Sequence, residues 1–205
     1  MKHDHGRPFS TMKKPNMLIP AAFEAGADRA VIVPAGDIVV RTDLADMCRE
    51  PGCPNYGLSV NCPPHVAGPA AMADMLRAFD AAVVFRRDVP AVDLFSDNRR
   101  RVFQQLHKIA AAVEQSAIEA GFTRARGFAG GSCRELFCHE YEDCLVFSAN
   151  GRCRFPQQAR PSMSGFGIDV AALFKAAGWT LCLADPLAGS GGNTMANICG
   201  LVLIK

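Results

Sequence analysis

The chain has 205 residues, 49% of them apolar, with 22 basic and 20 acidic side chains and a formal charge of +2. That length supports one domain with its own core, and the near-even charge balance, without a basic run beyond Asn98-Arg-Arg-Arg101, is not a nucleic-acid footprint. No stretch approaches the roughly 20 apolar residues of a membrane span, and the start, Met1-Lys-His-Asp-His-Gly-Arg-Pro8, lacks the apolar run of a signal peptide, so a cytoplasmic protein is expected.

Residues 1–17 read as a flexible N-terminal segment ahead of a single metal-binding domain over 18–205. A short helix is expected at 19–26 and a buried strand at 29–34. A long irregular loop, 43–68, then carries the first cysteine group. Ala71, Met72, Met75, Leu76 and Phe79 stand at helical spacing and lead into an apolar strand at 81–85. Val102, Leu106, Ile109, Val113 and Ala117 recur every three or four positions, which predicts a long helix over 97–120 stopped by Gly121. A strand at 122–128 runs into Gly130-Gly-Ser-Cys133, so the second cysteine group opens where a strand ends, a common place for function. The chain finishes with a helix at 169–177 closed by Gly178, a strand at 180–184 and a strand at 198–204. Between the last two lies Gly189-Ser-Gly-Gly-Asn193, read as a turn because it lacks the Lys-Ser/Thr ending of a phosphate loop. The alternation predicts an α/β sandwich of about five strands with flanking helices, two of whose loops hold the cysteines.

Seven of the nine cysteines fall in those loops. Clustered thiols in a reducing compartment are metal ligands more often than disulfides. In the second group Cys133, Cys138, Cys144 and Cys153 supply four thiols, which suit a 4Fe-4S cluster or tetrahedral zinc, and spacing alone does not choose between them. The first group, Cys48, Cys53 and Cys62, supplies three and leaves one coordination position for water, substrate or another side chain. His65, just past Cys62-Pro-Pro, is the nearest candidate for it. Prolines after Cys53 and Cys62 remove N–H donors and fix backbone angles, while Gly52 and Gly57 permit close approach, leaving other N–H groups free to point at sulfur. Arg152, Arg154 and Arg160 crowd Cys153 in sequence and would offset thiolate charge. Cys182 and Cys199 sit in apolar runs and read as core, His139 reads as an exposed loop residue, and His107 is given no role.

Three stretches are familiar together: Cys53-Pro-Asn-Tyr-Gly57 with Cys62-Pro-Pro64, Gly130-Gly-Ser-Cys133, and Cys153-Arg-Phe-Pro-Gln-Gln-Ala-Arg-Pro-Ser-Met-Ser-Gly-Phe-Gly-Ile-Asp-Val170. With them the chain resembles the family of uncharacterised predicted metal-binding proteins, from about residue 28 to the final apolar strand. The resemblance implies a ligand set of Cys48, Cys53, Cys62, Cys133, Cys138, Cys144 and Cys153 and assigns no reaction.

Three functions are compatible with these residues. The first is an iron-sulfur protein holding one or two 4Fe-4S clusters, which transfers electrons or serves another metalloenzyme. Two tyrosines, one tryptophan and no flavin or nucleotide fingerprint imply that the electrons need a protein partner. The second is an enzyme using the open position of the three-cysteine site as a Lewis acid, with His65, Asp46 or Glu50 as proton-transfer groups. The third is a zinc-stabilised interaction module.

Overall fold

The computed structural model of the chain describes residues 15–49, 52–148, 151–184 and 194–205. Residues 1–14 of the expected flexible segment, Glu50, and the expected turn at 189–193 lie outside the described residues. Pro15–Leu18 forms a 3-10 turn that leads into α1 (Ile19–Glu24) and β1 (Arg29–Pro34). The first cysteine loop follows α2 (Thr42–Asp46) and ends at α3 (Gly68–Ala78), which feeds β2 (Ala81–Pro90). The long helix α4 (Asn98–Glu119) returns to β3 (Ala125–Ala129). The second cysteine loop opens with the short α5 (Cys133–Phe137), and α6 (Val170–Ala176) and β4 (Met195–Ile204) complete the fold.

The four strands form one antiparallel sheet in the order β1-β2-β4-β3. Side chains alternate between the two faces of a strand, and here both faces are covered. Val83, Phe85, Val202 and Ile204 pack with Ala22 of α1 and Leu106, Ile109 and Val113 of α4. Ala82, Val84, Leu201 and Leu203 pack with Met72 of α3, Leu173 and Phe174 of α6, and Phe166. The paired halves of the central strands, 81–85 and 198–204, are therefore apolar without a break, which is why they stand out in the sequence. Gly200 lies opposite Phe85 in the β2–β4 register. A Cβ there would sit 2.5 Å from Phe85 Cζ and 2.8 Å from the Phe128 carbonyl oxygen, so only glycine lets the ring lie across the sheet.

Helix ends follow local chemistry. Gly121 and Gly178, at φ +78° and +70°, adopt the left-handed turn that ends α4 and α6. The Asp169 carboxylate caps α6 by accepting from the Ala172 N–H at 3.0 Å.

One expected strand is absent. Residues 180–184 form no strand among the described residues; their backbone link to β4 is a single bond, Asn197 N–H to Cys182 O at 2.9 Å. The side chain of Asn197 takes the next position, its Oδ1 accepting from Cys182 N at 2.8 Å, and Leu183 faces outward, 77% exposed. The apolar run thus gains neither a ladder nor a second covered face, and Cys182, expected in the core, is exposed. Cys199 is buried as expected. Among the described residues no helix is long and apolar enough to cross a membrane.

Candidate metal centres

Both cysteine loops meet beyond the end of β3, held by the segment after Cys153. The Ala129 N–H donates to Pro161 O at 3.1 Å and Met163 N–H to Ala129 O at 3.1 Å, while Ser162 N–H donates to Asn61 O of the first loop at 3.0 Å. Two glycines of this segment allow close crossings. A Cβ on Gly165 would meet Pro63 Cδ at 2.8 Å, and one on Gly167 would meet Arg41 O at 2.4 Å. The third support is His107 of α4, fully buried. Its Nε2–H donates to Gly130 O at 3.1 Å, and its Nδ1 accepts from Arg160 N–H at 3.0 Å. This residue, without a role in the sequence reading, ties the glycines before Cys133 to the arginine after Cys153.

The first loop is a chain of tight turns: Tyr56 N–H to Cys53 O at 3.1 Å, Gly57 N–H to Pro63 O at 2.8 Å and Cys62 N–H to Ser59 O at 3.2 Å. They turn Cys48, Cys53 and Cys62 onto one cavity of about 210 Å³, whose lining includes Tyr56, Arg99, Ser132 and Glu135. In the second loop Cys133, Cys138, Cys144 and Cys153 line a much tighter pocket, of about 20 Å³, with Arg134, Arg154, Phe137 and Phe155. Cys133 and Cys138 pack in an apolar cluster with Leu136, Phe137, Phe103, Phe155 and Ala159. Arg134 holds the loop by donating to the carbonyls of Tyr141 and Glu142, and Arg154 donates to Asp143 O at 2.6 Å while lying 4.1 Å from the Tyr141 ring centre.

The two cavities share a wall. The Cys62 thiol donates to Ser132 Oγ at 3.2 Å, and the Cys133 thiol donates to Ser59 Oγ at 3.6 Å. Asn61 Nδ2 also donates to the Cys133 sulfur at 3.5 Å, and Phe155 N–H donates to the Cys153 sulfur at 3.4 Å. Thus a residue of each loop reaches a thiol of the other.

Burial pushes the Cys133 thiol up to about 11, against the hydrogen bonds with Ser59 and Asn61. Burial also raises Cys62, opposed by Ser132 and Ser59, and raises Cys48 with help from Cys53 and Cys62. Cys138 is raised by burial and then by Cys153, with the Arg154 and Arg134 charges opposing. Such thiols hold their protons at neutral pH until a metal displaces them, so loading would release protons. Among the described residues, no three or more His, Cys, Asp and Glu side chains are grouped so as to hold a single metal ion.

Several sequence expectations change here. His65 does not line the three-cysteine cavity: its Nε2 lies 3.2 Å from Gly57 O and its ring 4.4 Å from that of Phe147. Asp46 pairs with Arg49 at 3.0 Å on the surface. Proximity in sequence is misleading because the turns after Cys62 carry both the histidine and the chain away. Of the three arginines near Cys153, Arg154 lines the cavity and Arg152 is exposed, while Arg160 turns back to Glu114 at 2.5 Å. Arg134 takes its place, with a buried Nη1 that has no hydrogen-bond partner. Ser132 and Asn61 adjoin candidate ligand thiols in sequence, a signal that could have found them; Arg99 and Glu135 carry no such signal.

The chain is thus a cysteine-rich α/β protein, with helices on both faces of one sheet and two thiol-lined cavities at its end. The chain belongs to the family described as predicted metal-binding protein (DUF2284), whose model matches residues 31–204. No curated protein and no solved structure matches it.

Proposed function

We propose that the chain carries two iron-sulfur centres, one on Cys133, Cys138, Cys144 and Cys153 and one on Cys48, Cys53 and Cys62, and that it relays electrons to a protein partner or serves another metalloenzyme. The observation that carries this reading is the sorting of seven thiols onto two adjoining cavities. The donor set fits: four thiols around a partly apolar space match the four-cysteine ligation of a cluster. Bound there, a cluster would supply one-electron chemistry at a potential set by its surroundings.

The chain's own residues supply those surroundings. Arg134 and Arg154 bring positive charge to the four-thiol cavity, and the unpartnered Arg134 Nη1 is a buried donor with no acceptor in the protein. Anionic thiolates with a cluster between them would satisfy it. Hydrogen bonds from Asn61 and Phe155 to sulfur stabilise added negative charge and so favour the reduced form. The Ser59 and Ser132 hydroxyls between the cavities can turn to donate once the thiols lose their protons.

Purification without oxygen, followed by iron, sulfide and zinc analysis and a visible spectrum, tests this. A brown protein with about eight irons per chain is expected for two cysteine-held four-iron centres. A colourless protein holding only zinc contradicts the reading.

A further inference from the structure

We propose that the Glu135 carboxylate is the fourth protein ligand of the three-cysteine centre. The inference rests on the reading that this cavity holds a metal centre. Cys48, Cys53 and Cys62 leave one position without a thiol, and Glu135 lines the same cavity as all three. The histidine nearest in sequence is engaged elsewhere, with Gly57 and Phe147.

Helix α5 explains how a residue beside one centre serves the other. Cys133 and Glu135 are two positions apart, about 200° around a helix of 3.6 residues per turn. Cys133 accordingly lines the four-thiol cavity and Glu135 the three-thiol cavity. The carboxylate is also held in place: Arg99 Nη1 donates to Oε1, and Asn55 Nδ2 donates to Oε2 at 3.1 Å. A carboxylate offers about four lone-pair sites, so those two bonds leave roughly two for a metal. Its neighbours on the wall compete poorly. The Ser132, Ser162 and Ser164 hydroxyls and the Tyr56 phenol must each give up a tightly held proton before they ligate strongly. Carboxylate oxygen completes thiolate and imidazole sets in other metal sites.

The test uses the full chain, loaded without oxygen with ferrous iron and sulfide, read by iron content and by electron paramagnetic resonance of the oxidised protein. Wild type should hold about eight irons, and Glu135→Gln about seven with a three-iron signal, because the iron lacking a thiolate is released. Glu135→Cys should return the full count and abolish that signal, and Glu135→Asp should retain iron better than Glu135→Gln. Full iron content without a three-iron signal in Glu135→Gln overturns the proposal. If Glu135→Gln does not fold, Glu135→Cys decides: full iron supports ligation, and loss of iron from that centre shows that Glu135 serves only as the partner of Arg99. About four irons in wild type, lost on Cys153→Ser, would overturn the proposal and leave the four-thiol centre standing; no iron at all would overturn both.

Discussion

His107 shows what one residue can do for a site it does not line. Burial, partly offset by the bond to Gly130 and reinforced by the Arg160 charge, lowers its pKa from 6.5 to about 4. In the unfolded chain it titrates near 6.5, so below that pH the unfolded state takes a proton that the folded state refuses. Stability is thus intact above about pH 6.5 and falls as the pH drops, by about 3 kcal/mol at pH 4. His107→Gln should flatten this part of the profile, seen as closer urea midpoints at pH 7 and pH 4.5; an unchanged difference would show that His107 is not the group responsible. The two cysteines outside the loops make a second pair of opposites. Cys199 is pushed up to about 12 by burial, whereas Cys182 is exposed. Alkylation of the folded protein should label Cys182 readily and Cys199 only after denaturation; early labelling of Cys199 would contradict the sheet packing. Their apolar neighbours make both look like core, because an apolar run does not reveal how many of its faces are covered. The seven loop thiols are legible, since clustering in sequence is itself the signal. Glu135 and Arg99 are not, since they meet only when α4 and α5 pack.

The elements most readable in the sequence are those whose burial is periodic. α4 shows its stripe because one face meets the sheet, and β2 and β4 show as apolar runs because both faces are covered. Residues 180–184 imitate such a strand but run beside β4 with one backbone bond. The glycines of the long motif look like turn residues, yet two of them are points where backbones and side chains cross. Gly200→Ala would drive a Cβ into Phe85 and the Phe128 carbonyl. Overpacking of this kind costs about 3 kcal/mol, a Tm loss of roughly 6–12 °C in a chain of this size, measurable by calorimetry. Gly165→Ala acts on a different link. Its Cβ would press on the Pro63 ring and push the Cys62 turn away, so iron should be lost from the three-cysteine centre while the four-thiol centre stays loaded. Equal loss from both centres would show that the segment supports them as one unit.

At the scale of the whole molecule, the sheet brings two loops about seventy residues apart in sequence to one end and seats them against each other. The Cys62–Ser132 and Cys133–Ser59 contacts make the cavities neighbours, and adjacency is what distinguishes a relay from two unrelated metal sites. None of this is legible in the sequence, since spacing within a loop says nothing about the distance between loops. Adjacent centres should also sense each other: reducing one adds negative charge beside the other and makes its reduction harder. The most direct measurement is electron paramagnetic resonance of the dithionite-reduced protein. Two reduced centres across one wall predict a signal broadened by spin–spin interaction, which collapses to a simple spectrum when either Cys62→Ser or Cys153→Ser removes one of them. A sharp, uncoupled signal in the wild type, unchanged by Cys62→Ser, or no signal from a protein that holds only zinc, would contradict the account.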